Sequence, residues 1–367
     1  EKSTSFTEDS AGYTKLFELL GPVGDTALVA MEATGHYWKN LFAALTAKGF
    51  KVALVNPLRT NRFAAEDMQR TKTDAIDALG IARFAAQKRP AVTKLAESAT
   101  EELRELVRLR DRLVQDLGDR VRELHRVVDL GFPEFTRYVR SLDSELATSI
   151  LKEYPTAESF VGLRPRALSN LKYDGRHFVG LELANQLIQA ATSSVGAHHS
   201  NAYRVQVKYF CQDIDVFRQR IRELDRDIAS KLDGHEVGKL LTTIDGIGSG
   251  TAARLIAVLG NPADFRDERA LASYVGVVPA LKQSGKRLNE RGALSSYGNA
   301  SLRTALYMPT LTAVRRNPWL KSFYDRLILA GKPAKLALIA AMRKLLHAIY
   351  SVAKNRKPFV PRLEVTA

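Results

Sequence analysis

The spacing of hydrophobic and polar residues divides the chain into three blocks. In the first block, the apolar runs TALVAM (26–31) and KVALVNP (51–57) are typical of short strands, and the residues between them have helical spacing. A further helix carries KTDAIDALG, residues 72–80. Strand, helix, strand, helix at these lengths predicts parallel strands joined by a crossover. We therefore interpret residues 1–95 as an α/β domain.

The second block, residues 96–235, has a helical period. Leucines and other apolar residues recur at three- and four-residue spacing over 98–130 and again over 205–233, with charged residues on the other faces. This pattern predicts two long amphipathic helices that form a coiled-coil arm, as an antiparallel pair in one arrangement. The stretch 131–204 is punctuated by Gly, Pro and Ser and is interpreted as a few short helices.

The third block, residues 236–367, is predicted to be an all-α domain. It opens with LLTTIDGIGSGTAARLIAVLG, which indicates a helix, a tight glycine turn and a second helix, and it ends in a basic helix around 334–355. No apolar run approaches the length needed to span a bilayer, so we expect no membrane partner.

Composition narrows the kind of partner. The 367 residues carry a formal net charge of +15, which favours a polyanion such as nucleic acid, although a generally basic soluble protein fits the same number. The single cysteine excludes a disulfide framework and indicates a reducing compartment. The seven histidines are scattered, and none forms a cluster with zinc spacing.

Asp74 and Asp77 are the first candidates for chemistry. At i and i+3 their carboxylates share one helical face and repel each other, and a divalent cation such as Mg²⁺ would compensate. The alternative is a solvated acidic turn that the helix dipole favours. Arg70 and Lys72 beside the pair suit either interpretation, as phosphate contacts or as charge balance.

Glu32 follows directly on the first apolar run, where open α/β sheets place ligand-binding groups. A carboxylate there and two on a later helix can converge on one metal ion. The alternative is that Glu32 caps the helix of residues 37–48.

The glycine turn IDGIGSG, residues 244–250, resembles a helix-hairpin-helix element. Gly246 and Gly248 permit positive φ, so that successive backbone N–H groups can grip a phosphate without reading base sequence. An ordinary helical hairpin explains the same residues.

Ser284 lies in the basic segment KQSGKRLNER, among the cations Lys282, Lys286, Arg287 and Arg291. We interpret this segment as a basic loop made flexible by Gly285, and a serine in such a loop can approach a phosphodiester and attack it, provided that a base takes its proton and the cations neutralise the phosphate. The alternative is a phosphate-binding loop without a covalent role. Ser295 and Ser296 are rival hydroxyls, but we interpret them as a cap for a helix around 299–307.

Several motifs together resemble one family. MEATGHYWKNL, VNP, KTDAIDALGIARF and QKRP are similar to the RuvC-like half of the IS110-type insertion-sequence transposases, the DEDD class, and IDGIGSGTAARLIAVLG, FRDERALASYVGVVP, QSGKR and SYGNASLRTALYMP are similar to their C-terminal half. Piv-type DNA invertases belong to the same group. The resemblance covers nearly the whole chain except 131–204, with the motifs in the family's order.

The resemblance implies an RNase H-like (RuvC-like) domain, a coiled-coil arm, and a helical C-terminal transposase domain. It implies that Glu32, Asp74 and Asp77 hold Mg²⁺ and that Ser284 is the nucleophile. The family's first aspartate has no counterpart, because Asp9 and Asp25 stand in the wrong context. We expect that an N-terminal strand carrying it is absent from this chain.

The resemblance further implies a reaction and its partners. The enzyme would cut and rejoin target and donor DNA through a phosphoserine intermediate, guided by a structured bridge RNA, and would work as a homodimer that assembles into a homotetramer. A bacterial cytoplasmic location at the nucleoid follows. Two rivals remain: a RuvC-like metal-dependent nuclease or junction resolvase in which Ser284 only binds, and a non-enzymatic protein that bridges nucleic acids.

Overall fold

The structure is a computed structural model that describes residues 4–24, 28–66, 73–94, 97–284, 288–294 and 298–361, with the backbone alone for 279–294. The chain divides into two compact units, Glu1–Leu95 and Ala96–Ala367. The predicted domain bounds at residues 95 and 96 and at residues 235 and 236 stay predictions.

The first unit is built on two parallel strands. Strand β1 (Leu28–Glu32) pairs with β2 (Lys51–Val55) in a register that runs from Leu28 opposite Lys51 to Glu32 opposite Val55. The helices are α1 (Ser10–Leu20), α2 (Trp38–Ala47), α3 (Pro57–Glu66) and α4 (Asp74–Lys88). Because α2 connects two parallel strands, the crossover predicted from the sequence is confirmed.

Helices cover both faces of the strand pair. Phe42 and Leu45 of α2 pack with Val52 in one apolar cluster, while Phe63 of α3 and Phe84 of α4 pack with Val55 in another. Successive side chains of a strand point to opposite faces, and the two clusters take alternate positions accordingly. The unit is therefore a small α/β layer structure.

Helix α3 is absent from the sequence-based prediction, which treats Pro57 only as the end of the second strand. Proline suits the first turn of a helix, since its missing N–H has no partner there and its φ is already helical. The Asn56 side chain accepts a 2.8 Å bond from the Leu58 N–H and so satisfies one of the free N–H groups at this end.

The second unit opens with α5 (Ser98–Gly131) and returns through α10 (Asn201–Asp233). Ion pairs join Arg120 to Asp213 at 3.1 Å and Lys231 to Glu102 at 2.7 Å. Residue numbers rise along one helix as they fall along the other, so the two long helices pair antiparallel within one chain, as one of the predicted arrangements has it.

Residues 131–204 form a small folded region at one end of this pair. It contains α6 (Phe135–Tyr138), α7 (Glu145–Glu153), α8 (Pro165–Ser169), α9 (Leu181–Thr192), a 3₁₀ turn (Ala157–Phe160) and a hairpin of β3 (Lys172–Tyr173) and β4 (His177–Phe178). Phe132, Phe135 and Phe160 are fully buried in one apolar cluster with Ile214 and Cys211 of α10. The short helices are predicted correctly, but the hairpin is not.

The C-terminal part of the second unit is mostly helical, but it also contains a two-stranded antiparallel hairpin, so the prediction of an all-α domain is wrong in this respect. Its elements are α11 (Glu236–Leu241), α12 (Ser249–Leu259), a 3₁₀ turn (Pro262–Asp264), α13 (Glu268–Val275), β5 (Pro279–Ser284), β6 (Leu288–Leu294), α14 (Ala300–Arg316), α15 (Pro318–Leu329) and α16 (Ala334–Asn355). The Asn299 carboxamide caps α14 by accepting from the Leu302 N–H at 3.0 Å. The prediction of a serine cap there is therefore wrong, and Ser295 and Ser296 lie outside the described residues.

Helix α16 is the centre of this helical core. Its side chains Ala341, Met342, Leu345 and Ile349 are fully buried against the neighbouring helices. By length and composition alone α16 could cross a membrane, and it is the one such helix within the described residues. This finding differs from the prediction that no apolar run is long enough to span a bilayer. Most of the helix is, however, buried inside the protein.

Candidate functional site

Glu32 is the last residue of β1. The ladder continues one step beyond it, because the Ala33 N–H donates to the Val55 carbonyl at 2.9 Å. Helix α2 starts six residues later with Tyr37 at its N-cap and no side-chain cap bond. The alternative in which Glu32 caps that helix is therefore wrong, and the carboxylate is half-buried at the carboxyl end of a parallel strand.

Two threonine hydroxyls hold the Glu32 carboxylate. Thr34 donates to Oε1, and Thr60 donates to Oε2 at 2.6 Å. Sequence reasoning missed both residues. Thr34 could have been considered, since it stands two residues after a candidate ligand. Thr60 could not, since it lies on α3, which the hydrophobic pattern does not predict.

Asp74 and Asp77 lie in the first turn of α4, and both are exposed. Thr73 caps the helix through its hydroxyl, which accepts from the Ile76 N–H at 3.3 Å. Helix α4 packs beside β1, the strand that ends in Glu32. The predicted helical start and shared face are confirmed, and Arg70 and Lys72 lie outside the described residues.

The chemistry of these three side chains suits Mg²⁺, which prefers carboxylate oxygens. Glu32 in particular has the hydrogen-bonded support that metal-ligating carboxylates usually have. Within the part of the chain that the structure describes, however, no three or more His, Cys, Asp or Glu side chains form a metal-binding group. The donors fit the ion, and their convergence on it stays a prediction.

Of the two other aspartates considered from the sequence, Asp9 serves as a helix cap in the structure. Asp9 is the N-cap of α1 and accepts a 2.7 Å bond from the Gly12 N–H. This backbone hydrogen bond holds the pKa of the Asp9 carboxyl below its usual value. Asp25 lies outside the described residues.

Helices α11 and α12 lie on either side of the glycine turn, and the two glycines of the turn differ. Gly246 has φ +99°, and a Cβ there would lie 2.7 Å from the Ala313 Cβ and 2.8 Å from the Pro309 carbonyl oxygen. Gly248 is the N-cap of α12 with φ −83° and has open space around it. Gly246 is thus required for packing against α14, whereas Gly248 leaves the helix N-terminus accessible.

Ser284 is the last residue of β5 in an antiparallel hairpin, opposite Leu288 of β6. Lys282 stands opposite Glu290, and Arg291 stands opposite Leu281. The sequence predicts a flexible loop here, and the backbone is instead a strand up to Ser284. The side chains of these residues are not described, and Lys286 and Arg287 lie outside the described residues.

Two family models match the chain. A DEDD transposase model of the IS110 type covers residues 1–133, and a model of the IS116/IS110/IS902 transposase family covers residues 238–325. The region between them includes all but the first three residues of the folded region 131–204. Each candidate catalytic residue falls inside one of the two matched ranges.

Individual relatives agree with these models. A pilin gene-inverting protein of Moraxella lacunata is 27% identical over 92% of this chain and 83% of its own length. A mini-circle putative transposase for IS117 of Streptomyces coelicolor is 30% identical over 77% of this chain and 71% of its own length. Together with the ordered matches at both ends, these similarities show that the chain belongs to the IS110 family of transposases and site-specific recombinases.

Proposed function

We propose that this protein is an RNA-guided transposase or recombinase that cuts and rejoins DNA through a covalent bond to Ser284. One observation carries the proposal: the first matched range contains Glu32, Asp74 and Asp77, and the second contains Ser284. One relative is named a pilin gene-inverting protein, and this name supports a reaction in which DNA is cut and rejoined.

The first unit is proposed to be an RNase H-like domain. Its parallel strands, with Glu32 at a carboxyl end, support this, because ligand-binding groups of open α/β sheets lie there. Glu32, Asp74 and Asp77 would hold Mg²⁺ with further oxygens from water, phosphate or another residue. The bound ion would supply polarisation of the scissile phosphate and neutralise charge that develops on it.

The covalent step belongs to Ser284. Its hydroxyl oxygen forms a bond to phosphorus as its proton leaves to a base, and the bond from phosphorus to one sugar oxygen breaks. The departing oxygen keeps the bonding electron pair and takes up a proton, which leaves a free hydroxyl on the DNA. Because a phosphodiester remains, a hydroxyl from another strand can attack it in reverse, and no ATP is required.

Binding groups for nucleic acid would surround this step. Lys282, Lys286, Arg287 and Arg291 would pair with the phosphate, and the accessible N-terminus of α12 at Gly248 would contact the DNA backbone. The net charge of +15 supports a polyanionic partner. A bridge RNA that base-pairs with target and donor DNA would supply the sequence specificity, while the protein contacts backbone and shape.

We propose that copies of the protein associate into dimers and then tetramers through the long helix pair of α5 and α10. Midway along it, apolar side chains remain exposed: Leu109 is 39% exposed, Val114 42% and Val216 44%. A second copy of the pair would bury them, in the manner of a helix bundle.

Trapping the covalent adduct tests the proposal. The protein, with the RNA that co-purifies with it, is incubated with Mg²⁺ and DNA that carries the ends of its own element, and adducts are separated on a denaturing gel. Ser284→Ala should abolish the adduct and strand exchange while RNA and DNA binding persist. Ser273→Ala, at an exposed serine of α13, is the matched control.

The other outcomes each reject part of the proposal. Strand cleavage without any adduct would identify a nuclease that uses water. An adduct that persists in Ser284→Ala would reject this nucleophile. No Mg²⁺-dependent cleavage by the wild-type protein would point to a non-enzymatic bridging role, and co-purification without a defined RNA would reject RNA guidance.

A further inference from the structure

Thr60 is a buried polar residue with a specific acceptor. Its side chain is 6% exposed, and its hydroxyl lies 2.6 Å from Glu32 Oε2 and 2.9 Å from the Pro57 carbonyl oxygen. A threonine hydroxyl has one proton to donate. The carboxylate is both the closer and the charged acceptor, so it receives the stronger hydrogen bond.

The backbone fixes both partners of this hydrogen bond. Glu32 is in register with Val55, and the Ala33 N–H bond to the Val55 carbonyl extends the ladder past it. Helix α3 starts at Pro57, two residues after β2 ends, so Thr60 sits one turn into a helix that is anchored to the neighbouring strand. The carboxylate is therefore held from a rigid element rather than from a loop.

The hydrogen bonds also leave room for a cation. An ionised carboxylate offers about four lone-pair sites. Thr34 occupies one on Oε1 and Thr60 occupies one on Oε2, so each oxygen retains a free site. Donors that occupy one side of a ligating carboxylate fix the direction in which the remaining lone pairs point.

We propose that Thr60 is a positioning residue for the divalent cation: its hydroxyl holds the Glu32 carboxylate in the orientation in which the free lone pairs bind the ion. This inference rests on the proposed function, in which Glu32 is a metal ligand. Thr60 would not touch the ion or the DNA. It acts through Glu32, and α3, on which it lies, is thereby coupled to metal affinity.

Direct metal binding tests the inference without any DNA substrate. Mn²⁺ binding to the full chain is measured by electron paramagnetic resonance for wild type, Glu32→Gln, Thr60→Val and Thr60→Ser. Thr60→Val keeps the shape and loses the hydroxyl, and we expect it to weaken the Glu32-dependent site by about tenfold or more. Thr60→Ser keeps the hydroxyl and should stay close to wild type.

Thermal unfolding of each variant separates folding from positioning. A Thr60→Val protein that unfolds like wild type but binds Mn²⁺ weakly supports the inference, and recovery in Thr60→Ser assigns the effect to the hydroxyl. If Thr60→Val unfolds at a lower temperature than wild type, Mn²⁺ binding is compared at a temperature at which both proteins are folded, and wild-type affinity in Thr60→Val under those conditions would overturn the inference. Equal weakening in both variants would overturn it.

The two proposals fail in different ways. If the wild-type chain has no Mn²⁺ site that Glu32→Gln removes, the metal-binding role of Glu32 is wrong, and the role of Thr60 falls with it. If Glu32→Gln removes a site that Thr60→Val leaves unchanged, Glu32 remains a ligand and only the positioning role of Thr60 is wrong.

Discussion

The guanidinium of Arg110 on α5 holds the carboxylate of Asp225 on α10 through two nitrogen–oxygen contacts, at 2.5 and 3.3 Å. A bidentate contact of this kind requires a specific relative position of the two side chains, so it favours the observed register of the helix pair. Both side chains are partly exposed, however, at 31% and 45%. Solvent screens such a pair, and its contribution to stability is therefore small.

Removing this ion pair should lower the free energy of unfolding much less than truncating a core side chain does. We expect Asp225→Asn to lower the free energy of unfolding by less than about 1 kcal/mol. Leu232→Ala on the same helix, where Leu232 is 1% exposed, should lower it by about 2–5 kcal/mol because a cavity is left. Urea unfolding of both variants measures the difference, and a larger loss in Asp225→Asn than in Leu232→Ala would contradict this ranking.

The long helices could be predicted because their apolar period continues over about nine turns, far more than chance spacing. The partner of each helix could not be predicted in this way, because the same apolar face can pack against a helix of the same chain or of a second copy. The ion pairs that decide it join residues more than ninety positions apart, such as Arg110 and Asp225, and no local pattern reveals them.

The sequence analysis does not predict helix α3 or the β3–β4 hairpin, and each omission has a physical reason. Helix α3 is short, and the proline that opens it reads equally well as the end of a strand. The β3–β4 hairpin has two-residue strands around Asp174 and Gly175, which have φ 48° and 75°. An Asp-Gly pair is a recognised hairpin turn, so that signal was available in the sequence.

At the candidate site, Glu32, Asp74 and Asp77 were identifiable from their element ends and spacing. Thr60 was not, because it reaches Glu32 only through a tertiary hydrogen bond between residues twenty-eight positions apart along the chain. Whether the carboxylates converge depends on tertiary contacts that spacing does not encode.

The two turn glycines before and at the start of α12 should respond differently to substitution. Gly246→Ala forces a Cβ to within 3 Å of Ala313 and Pro309 at a φ of +99°, which an L-residue tolerates poorly. We expect a loss of more than about 1 kcal/mol in the free energy of unfolding. Gly248→Ala meets open space at an ordinary φ, so its cost should be smaller, about 0.5–1 kcal/mol, and should come from alanine being a poorer N-cap than glycine.

Gly248→Ala is therefore the variant that tests nucleic-acid contact by the turn. If the α12 N-terminus approaches phosphate closely, a methyl group at Gly248 should weaken binding of duplex DNA at constant fold, measured by fluorescence anisotropy at fixed salt. Wild-type affinity in Gly248→Ala would remove this turn from the proposed DNA interface.

Neutralising the acidic start of α4 should affect catalysis and not folding. Asp74→Asn and Asp77→Asn are exposed changes that remove a favourable helix-dipole interaction of about 0.3–1 kcal/mol each. Glu182→Gln, also exposed in the first turn of α9, makes the same electrostatic change away from the site and is the control. All three proteins should unfold similarly, while only the aspartate variants lose Mg²⁺-dependent strand cleavage; equal activity in all three would remove Asp74 and Asp77 from the site.

Because of Cys211, we expect the free energy of unfolding to depend on pH in the alkaline range. It is the single cysteine of the chain and is fully buried. Burial raises the pKa of the Cys211 thiol from 9.0 to about 12, with a further increase from the negative charge of Asp215. Because the folded thiol keeps its proton when the unfolded thiol has lost it, the stability that this group contributes is complete below pH 9 and decreases from there towards pH 12.

The difference between wild type and Cys211→Ala isolates this effect from other groups that titrate at high pH. We expect the wild-type advantage in the free energy of unfolding to be constant from pH 7 to 8 and then to shrink as the pH passes 9, with a slope that approaches about 1.4 kcal/mol per pH unit. Urea unfolding of both proteins between pH 7 and 10.5 measures it. A difference that stays constant over this range would mean that water reaches the thiol in the folded protein, and that the cluster around Cys211 opens without global unfolding.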